Sequence, residues 1–416
     1  MRQHPEGGAL QFQEIRSVMK TFLSWAIAAS LALSVGSFAN AQNYTQVNLV
    51  ANTPGVAPVT DPNLVNPWGI SRTSSSPWWI SDNGTGLSTL YNGAGAINPL
   101  VVTIPKADPN SKTFPTGTPT GTIANASTTD FLLAPNTPAA FLFATIDGTI
   151  AGWNPNIGVA AGAAPPSTHA VIVVKTTDGS SYTGLTSATV DGKRYLYAAN
   201  FNKGTVDVYD NAFHKATLQS HQDAGSDRDP DTKLFTDNQL PRNFVPFNVQ
   251  AIGNDIVVTF ALHEEGKPLE TDGPGLGYVD IFSSDGQLLQ RLEHGDWLNA
   301  PWSVALASLD FGTFSHDLLI GQFAGGGTTD GSGTIAAYDL ATGKFIGLVQ
   351  DATGKPLSIN GLWAISPGNS AVPGSFDPAG SPAAELYFTA GPNHGTGGLF
   401  GYVKPVATEL TVGNDQ

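Results

Sequence analysis

The nine residues NKGTVDVYD (Asn202 to Asp210) recur as GSGTIAAYD (Gly331 to Asp339), with the same glycine, the same alternation and the same Tyr-Asp ending. A segment repeated at a fixed place within a longer unit confines a chain to architectures that stack equivalent units, because one unit alone cannot bury its apolar faces.

The unit is found by aligning NPWGI (Asn66 to Ile70), YTGLTSATV (Tyr182 to Val190), PFNVQAI (Pro246 to Ile252), NAPWSVALA (Asn299 to Ala307) and NGLWAIS (Asn360 to Ser366) on Trp68, Leu185, Asn248, Trp302 and Trp363. The intervals are 117, 63, 54 and 61 residues. The first is twice the others, so a further unit is placed near TGTIANAS (Thr120 to Ser127). Six units of about 59 residues follow, longer than the ~40 to 50 of common propeller repeats.

Each unit has the same grammar. After the anchor comes a β-branched and aromatic run (PWWISDN, AAFLFATID, RYLYAANF, DIVVTFAL, DLLIGQF, ELYFTAG), then a glycine turn and a third run (GLSTLY, GTIAGW, GTVDVY, GYVDIF, GTIAAY, GLFGYV). Alternating apolar and small or polar residues suit pleated strands packed on both faces. A fourth strand is predicted in five units, from PLVVTIP, AVIVVKT, KATLQSH, QLLQRLE and KFIGLVQ. The sixth unit ends without one, and YTQVNLVA (Tyr44 to Ala51) is predicted to pair with GLFGYV and lock the ring. The expected fold is all-β, a six-bladed β-propeller with four-stranded blades over residues 42–405 and a polar tail over 406–416. Two unrelated β-sandwiches would not keep one phase over six units.

At the N-terminus, Arg16 and Lys20 precede the apolar run TFLSWAIAASLALSVGSFA, which ends in Ala39-Asn40-Ala41. This reads as a signal peptide over residues 1–41, cleaved before Gln42, with Met19 the more usual start; an uncleaved membrane anchor is the alternative. The expected location is secreted or periplasmic, free of the membrane after cleavage.

Composition narrows function. The absence of cysteine excludes disulfides, thiolate metal sites and thiol nucleophiles. With 34 acidic against 19 basic residues and no basic cluster, the surface repels phosphate backbones, so nucleic-acid binding is not expected. A small molecule, a carbohydrate or an extracytoplasmic protein is the expected partner of a monomer.

The motifs NPWGI, FLFATIDGTIAGWNP, GTVDVYD, GPGLGYVDIF, NAPWSVALASLDFGTFSHDLLIGQF and GLWAI resemble an uncharacterised family of secreted bacterial proteins, over nearly all of the chain. The resemblance implies export and a propeller, and no particular chemistry. Some members carry a C-terminal sorting tail that is missing from ATELTVGNDQ, which favours release. More distantly the architecture is similar to lactonase-like and NHL-type rings, an analogy of fold.

Loops between second and third strands share a face with the loops leading into first strands. They differ in length: Asp147-Gly148 is a bare turn, whereas HEEGKPLETDGPGLG (His263 to Gly277), AGGGTTDGSG (Ala324 to Gly333) and GPNHGTGG (Gly391 to Gly398) are long and polar. Binding residues concentrate on such insertions. The candidate ligand-binding residues are His263, Glu264, Glu265, Asp272, Asp330, Asn393 and His394, with Asp82, Asn83, Asn200 and Asn202 from units one and three. His263, Glu264 and Glu265 either hold a divalent cation, zinc or manganese with the imidazole, or form a solvated loop. Asp82, Asn83 and Asn200 equally suit turn caps.

Two metal readings remain. DAGSDRDPD spaces Asp223, Asp227, Asp229 and Asp231 on alternate positions, as in calcium loops, but Thr232 and Asn238 stand where an EF-hand needs Gly and Glu. A surface calcium clip and a disordered acidic loop both fit. In lactonase-like rings a metal sits at the channel mouth, and the carbonyls of Asn66, Asn299 and Asn360 are placed to complete a calcium shell, without an acidic residue beside them. Phosphate loops and a GxSxG elbow are missing from the sequence. Two function classes follow: a non-catalytic propeller that binds through its long-loop face, or a calcium- or zinc-dependent hydrolase or lyase.

Overall fold

The computed structural model describes residues 43–219, 234–324, 332–369 and 381–406. The leader and its cleavage point, the tail beyond 406, and Asp223, Asp227, Asp229, Asp231 and Asp330 lie outside the described residues. The rest is a six-bladed propeller, nearly all β. Blade 1 runs outward from Pro67–Ser71 through Trp78–Asp82 and Leu87–Tyr91 to Val102–Thr103, and blade 2 from Pro119–Ala124 through Phe141–Thr145 and Thr149–Trp153 to Val171–Lys175. The inner strands of blades 3 to 6 are Tyr182–Val190, Phe244–Ile252, Pro301–Leu306 and Leu362–Asn369, and each inner strand packs beside the next around the ring.

One predicted strand is corrected. Among the described residues blade 3 has three strands, and those expected to begin its fourth, from Lys215, make one isolated bridge, Tyr209 to Lys215, and one bond from Ala216 N–H to the Val208 carbonyl. Leu218 is nevertheless buried there, so the segment covers the blade without a continuous ladder.

Closure is as the sequence predicts. Tyr44–Ala51 runs antiparallel to Leu399–Pro405, from Tyr44 opposite Pro405 to Ala51 opposite Leu399. The strand is also pinned sideways, because Tyr44 donates its hydroxyl to the Phe311 carbonyl at 2.7 Å and packs its ring 4.9 Å from that of Phe311 in blade 5. Elsewhere, aromatic contacts join neighbouring blades: Trp78 stacks on Tyr387 at 4.8 Å between blades 1 and 6, and Trp79 on Phe141 at 4.1 Å between blades 1 and 2. Such pairs contribute about 0.5–1.5 kcal/mol beyond their area burial.

Every inner strand shifts register against its neighbour near its start, at Trp68, Thr120, Thr183, Phe247, Trp302 or Trp363. These are the structurally equivalent positions, so the sequence alignment on Leu185 and Asn248 is corrected to Thr183 and Phe247. A bulge re-aims the side chain it carries. Here the re-aimed residues from blades 4, 5, 6 and 1 are large and those from blades 2 and 3 are threonines. Trp363 stacks on Trp68 at 3.6 Å, Phe323 covers Trp363 at 4.2 Å, and Trp302 reaches across to donate Nε1–H to the Thr183 carbonyl at 3.0 Å. Together with Phe201 and Phe247 they form one buried cluster that closes the channel on the long-loop face.

The residue after each plug position is small: Gly69, Gly121, Gly184, Asn248, Ser303 and Ala364. A Cβ at Gly121 would lie 2.5 Å from Leu185 N, and one at Gly184 would overlap the Asn248 side chain. Neighbouring inner strands therefore meet backbone against backbone at Gly69 and Gly121 and backbone against side chain at Gly184, and the belt sets the radius of the ring.

Two outcomes follow. Deleting Tyr44 to Ala51 leaves the Leu399–Pro405 edge unpaired and should produce aggregation; a soluble truncated protein with unchanged melting would contradict the closure. Gly121→Val should lower stability by about 2 kcal/mol or more through overpacking against immovable backbone, and an unshifted urea midpoint would remove the belt from the account.

Candidate functional site: the two ends of the channel

On the long-loop face the sequence candidates are engaged with one another and with the backbone. Asn66 Oδ1 accepts the Trp363 indole N–H at 3.0 Å, Asn299 Oδ1 accepts Gly273 N–H at 2.7 Å, and Asn360 Oδ1 accepts Asn393 N–H at 3.1 Å. The first fastens an inner-strand tryptophan, and the other two hold the long loops of blades 4 and 6. Asn83 donates Nδ2–H to the Pro119 carbonyl at 3.2 Å, tying blade 1 to blade 2. Asn200 is buried, accepts Ser181 N–H and donates to Asp207 and Ser180, whereas Asn202 is exposed and donates to the Gly179 carbonyl.

The blade 4 loop is internally organised. His263 places Nε2 2.9 Å from the Lys267 carbonyl and its ring 4.5 Å from Phe201. Glu264 accepts the Thr271 hydroxyl and pairs with Lys267, an interaction that holds its carboxyl below the usual range. Glu265 and Asp272 are exposed, as are Asn393 and His394 in blade 6, both in left-handed backbone at φ 55° and 56°. Among the described residues, no three His, Asp or Glu side chains are grouped to hold a metal ion. No described contact links the His263 loop to His394.

The other end of the channel is open. A cavity of about 450 Å3, within the range of small-ligand pockets, is formed by the second halves of all six inner strands. Four of them place a polar side chain at the third residue after the plug position: Ser71, Thr186, Gln250 and Ser366. Ile123 and Ala305 occupy the equivalent places in blades 2 and 5. Thr122, Ser187 and Arg72 add two hydroxyls and a guanidinium, the last lying 4.7 Å over the Trp78 ring. Val304, Leu306, Ile365 and Pro367 make an aliphatic wall from blades 5 and 6. Above the mouth a smaller cavity of about 30 Å3 shares Ile70, Thr122, Gln250, Val304 and Ile365 and ends against Trp302. The mouth is thus a blind funnel whose floor is the aromatic plug.

Sequence reasoning missed this funnel because it weighed loop length. Its one linear signal is the polar residue three positions beyond the plug residue in four of the six blades, visible only with the corrected register.

Several carboxyls are enclosed, Asp82 and Asp280 within blades and Glu270 within the blade 4 loop. Asp82, a sequence candidate, is fully buried in blade 1, and burial pushes its carboxyl well above the usual range although Thr89 N–H donates to Oδ2. Glu270 is raised to about 7 by burial of its carboxyl, with Asp272 adding to it. Asp280 is also raised to about 7, first by burial and then by Asp237. The nearby Arg291 is already committed to Asp237, with Nη2 2.8 Å from Oδ1.

No protein-family model matches the chain. It is similar to two uncharacterized proteins of Acanthamoeba polyphaga mimivirus, one 27% identical over 358 residues (85% of this chain, 78% of the relative), the other 28% identical over 360 residues (85% and 83%). Similar solved structures include a streptogramin B lyase (TM-score 0.42, 10% identity, 87% of this chain and 97% of that chain). The PQQ-bound aldose sugar dehydrogenase of Streptomyces coelicolor gives a TM-score of 0.45 at 10% identity, covering 88% and 99%. Similarity at this level says nothing about chemistry. The sequence relatives are viral, so a secreted bacterial origin rests on the motif resemblance.

The buried carboxyls give stability a definite pH dependence. A folded-state pKa of about 7 means that the folded protein keeps a proton between roughly pH 4 and 7 that the unfolded chain releases, so stability falls as pH rises through that window. Melting temperature should be higher at pH 5 than at pH 8, and Asp280→Asn should raise it at pH 8 and shrink the difference. Parallel pH profiles for the two proteins would show that Asp280 carries no such contribution.

Proposed function

We propose that this propeller is an exported, monomeric binding protein whose ligand, a carbohydrate, a peptide or part of another protein, enters the open mouth of the channel. Export rests on the apolar leader and its Ala39-Asn40-Ala41 ending. The single observation that carries the site is the funnel itself, about 450 Å3 and built by all six inner strands. A pocket made from strands of a closed ring is held by every blade at once, so it is preorganised, and a ligand that fits it loses little to ordering the protein.

The lining supports a largely uncharged ligand. Hydroxyls and one amide, of Gln250, are interspersed with aliphatic side chains from five of the six blades, and Arg72 is the one ionisable residue of the lining. Polar groups fixed on rigid strands supply orientation and the apolar wall supplies area. On the other face Asn66 fastens the plug residue Trp363, while Asn299 and Asn360 hold the backbone of the blade 4 and blade 6 loops.

Arrays of short peptides and oligosaccharides probed with the purified mature protein test this reading. Binding should fall at least tenfold in Gln250→Trp and in Ser366→Trp, which fill the funnel, and should persist in the double variant His263→Ala, His394→Ala. The reverse pattern, loss with the histidines and persistence with the tryptophans, moves the site to the long-loop face and overturns the proposal.

A further inference from the structure

We infer that the occupant of the mouth is the end of an extended peptide with uncharged, alternately aliphatic side chains, bound by strand addition to the inner strands; this rests on the mouth being the ligand site. Residues 122–124, 250–253, 304–306 and 365–367 line the cavity as unbroken runs. Successive side chains on a strand point to opposite faces. Three or four consecutive residues therefore share one cavity only where the strand turns its backbone edge towards it.

The topology requires that edge. Each inner strand has a ladder partner on one side only, so its other side presents backbone N–H and C=O groups to the channel. One such group shows that partners are taken there: Ala251 N–H donates to the Thr186 hydroxyl of the neighbouring blade at 2.9 Å. Edges of this kind bind extended peptides through main-chain hydrogen bonds, with pockets for alternate side chains supplying selectivity.

Depth and wall chemistry fix the size and character of the peptide. Runs of three to four residues at about 3.3 Å each make a mouth roughly 10–13 Å deep, which accommodates three to four extended residues. Val304 and Ile365 line the cavity down to its floor, and Leu306 remains 37% exposed at its rim. These aliphatic side chains suit every second side chain of an inserted strand, while the hydroxyls interspersed among them suit its backbone. Saccharide hydroxyls can bond single backbone groups but do not repeat donor and acceptor at the spacing of a strand edge, so the favoured occupant is the peptide.

The test uses the mature full chain and three probes in isothermal titration: acetyl-Val-Thr-Val-Ile-amide, the same tetrapeptide N-methylated at alternate backbone amides, and maltotetraose. The unmethylated peptide is expected to bind and methylation to weaken it at least tenfold, because the side chains are kept and the donors removed. Ser366→Trp should abolish binding, with Gln250→Trp as a second block and melting curves to show that each variant folds. Equal binding of the methylated peptide, or no binding of the parent peptide at millimolar concentration, overturns strand addition. Maltotetraose binding that Ser366→Trp abolishes, without peptide binding, sinks the inference but keeps the mouth as the site. Peptide binding that survives both blocks sinks the mouth as well.

Discussion

The structure depends on how closely six sheet edges can approach one another. Inner strands meet at Gly69, Gly121, Gly184, Asn248, Ser303 and Ala364, and at Gly121 the clearance leaves no room for a Cβ beside Leu185 N. That approach brings the bulged residues before the belt to a common axis. Their unequal sizes then fill it: Trp68, Trp302, Trp363 and Phe247 lean towards Thr120 and Thr183. Sixfold architecture survives because the packing is deliberately unequal, large opposite small, as close-packed interiors require.

This also explains why the two ends of one channel differ. At the plugged end, bulges turn aromatic side chains inward, Asn66 fastens Trp363, and Asn299 and Asn360 hold the adjoining loops, so these polar residues serve the structure there. Beyond the plug the same strands regain regular pairing with their second strands. Their side chains return to alternation, their edges are uncovered and a funnel opens. One register irregularity near the start of each strand thus divides the channel into a structural half and an accessible half.

Much of the fold was legible because strand periodicity and repeat spacing are properties of the linear chain. The closing role of Tyr44 to Ala51 could be inferred from a blade that was one strand short. The phase within units three and four was not legible, since Leu185 and Asn248 sit near the anchor tryptophans in sequence and only hydrogen-bond register shows that Thr183 and Phe247 are their equivalents. The site was harder still. Asp82 and Asn200 are polar residues beside turns, and nothing in a linear pattern says that both are enclosed within blades. The funnel is made largely of backbone edges and single hydroxyls, which leave almost no compositional trace.

The pairing of Tyr44–Ala51 with Leu399–Pro405 joins nearly the first and the last described segments of the chain. Apart from a short parallel pairing of Val50 and Ala51 with Val59 and Thr60, the strand Tyr44–Ala51 therefore lacks its ladder until Leu399–Pro405 exists, and Tyr44 meets Phe311, 267 residues later, before that. Contacts of such sequence separation form slowly, because loop closure precedes their reward. Completion of this ring consequently waits on the emergence of Leu399–Pro405, and until then most of Tyr44–Ala51 presents an open edge that another chain or a chaperone can occupy.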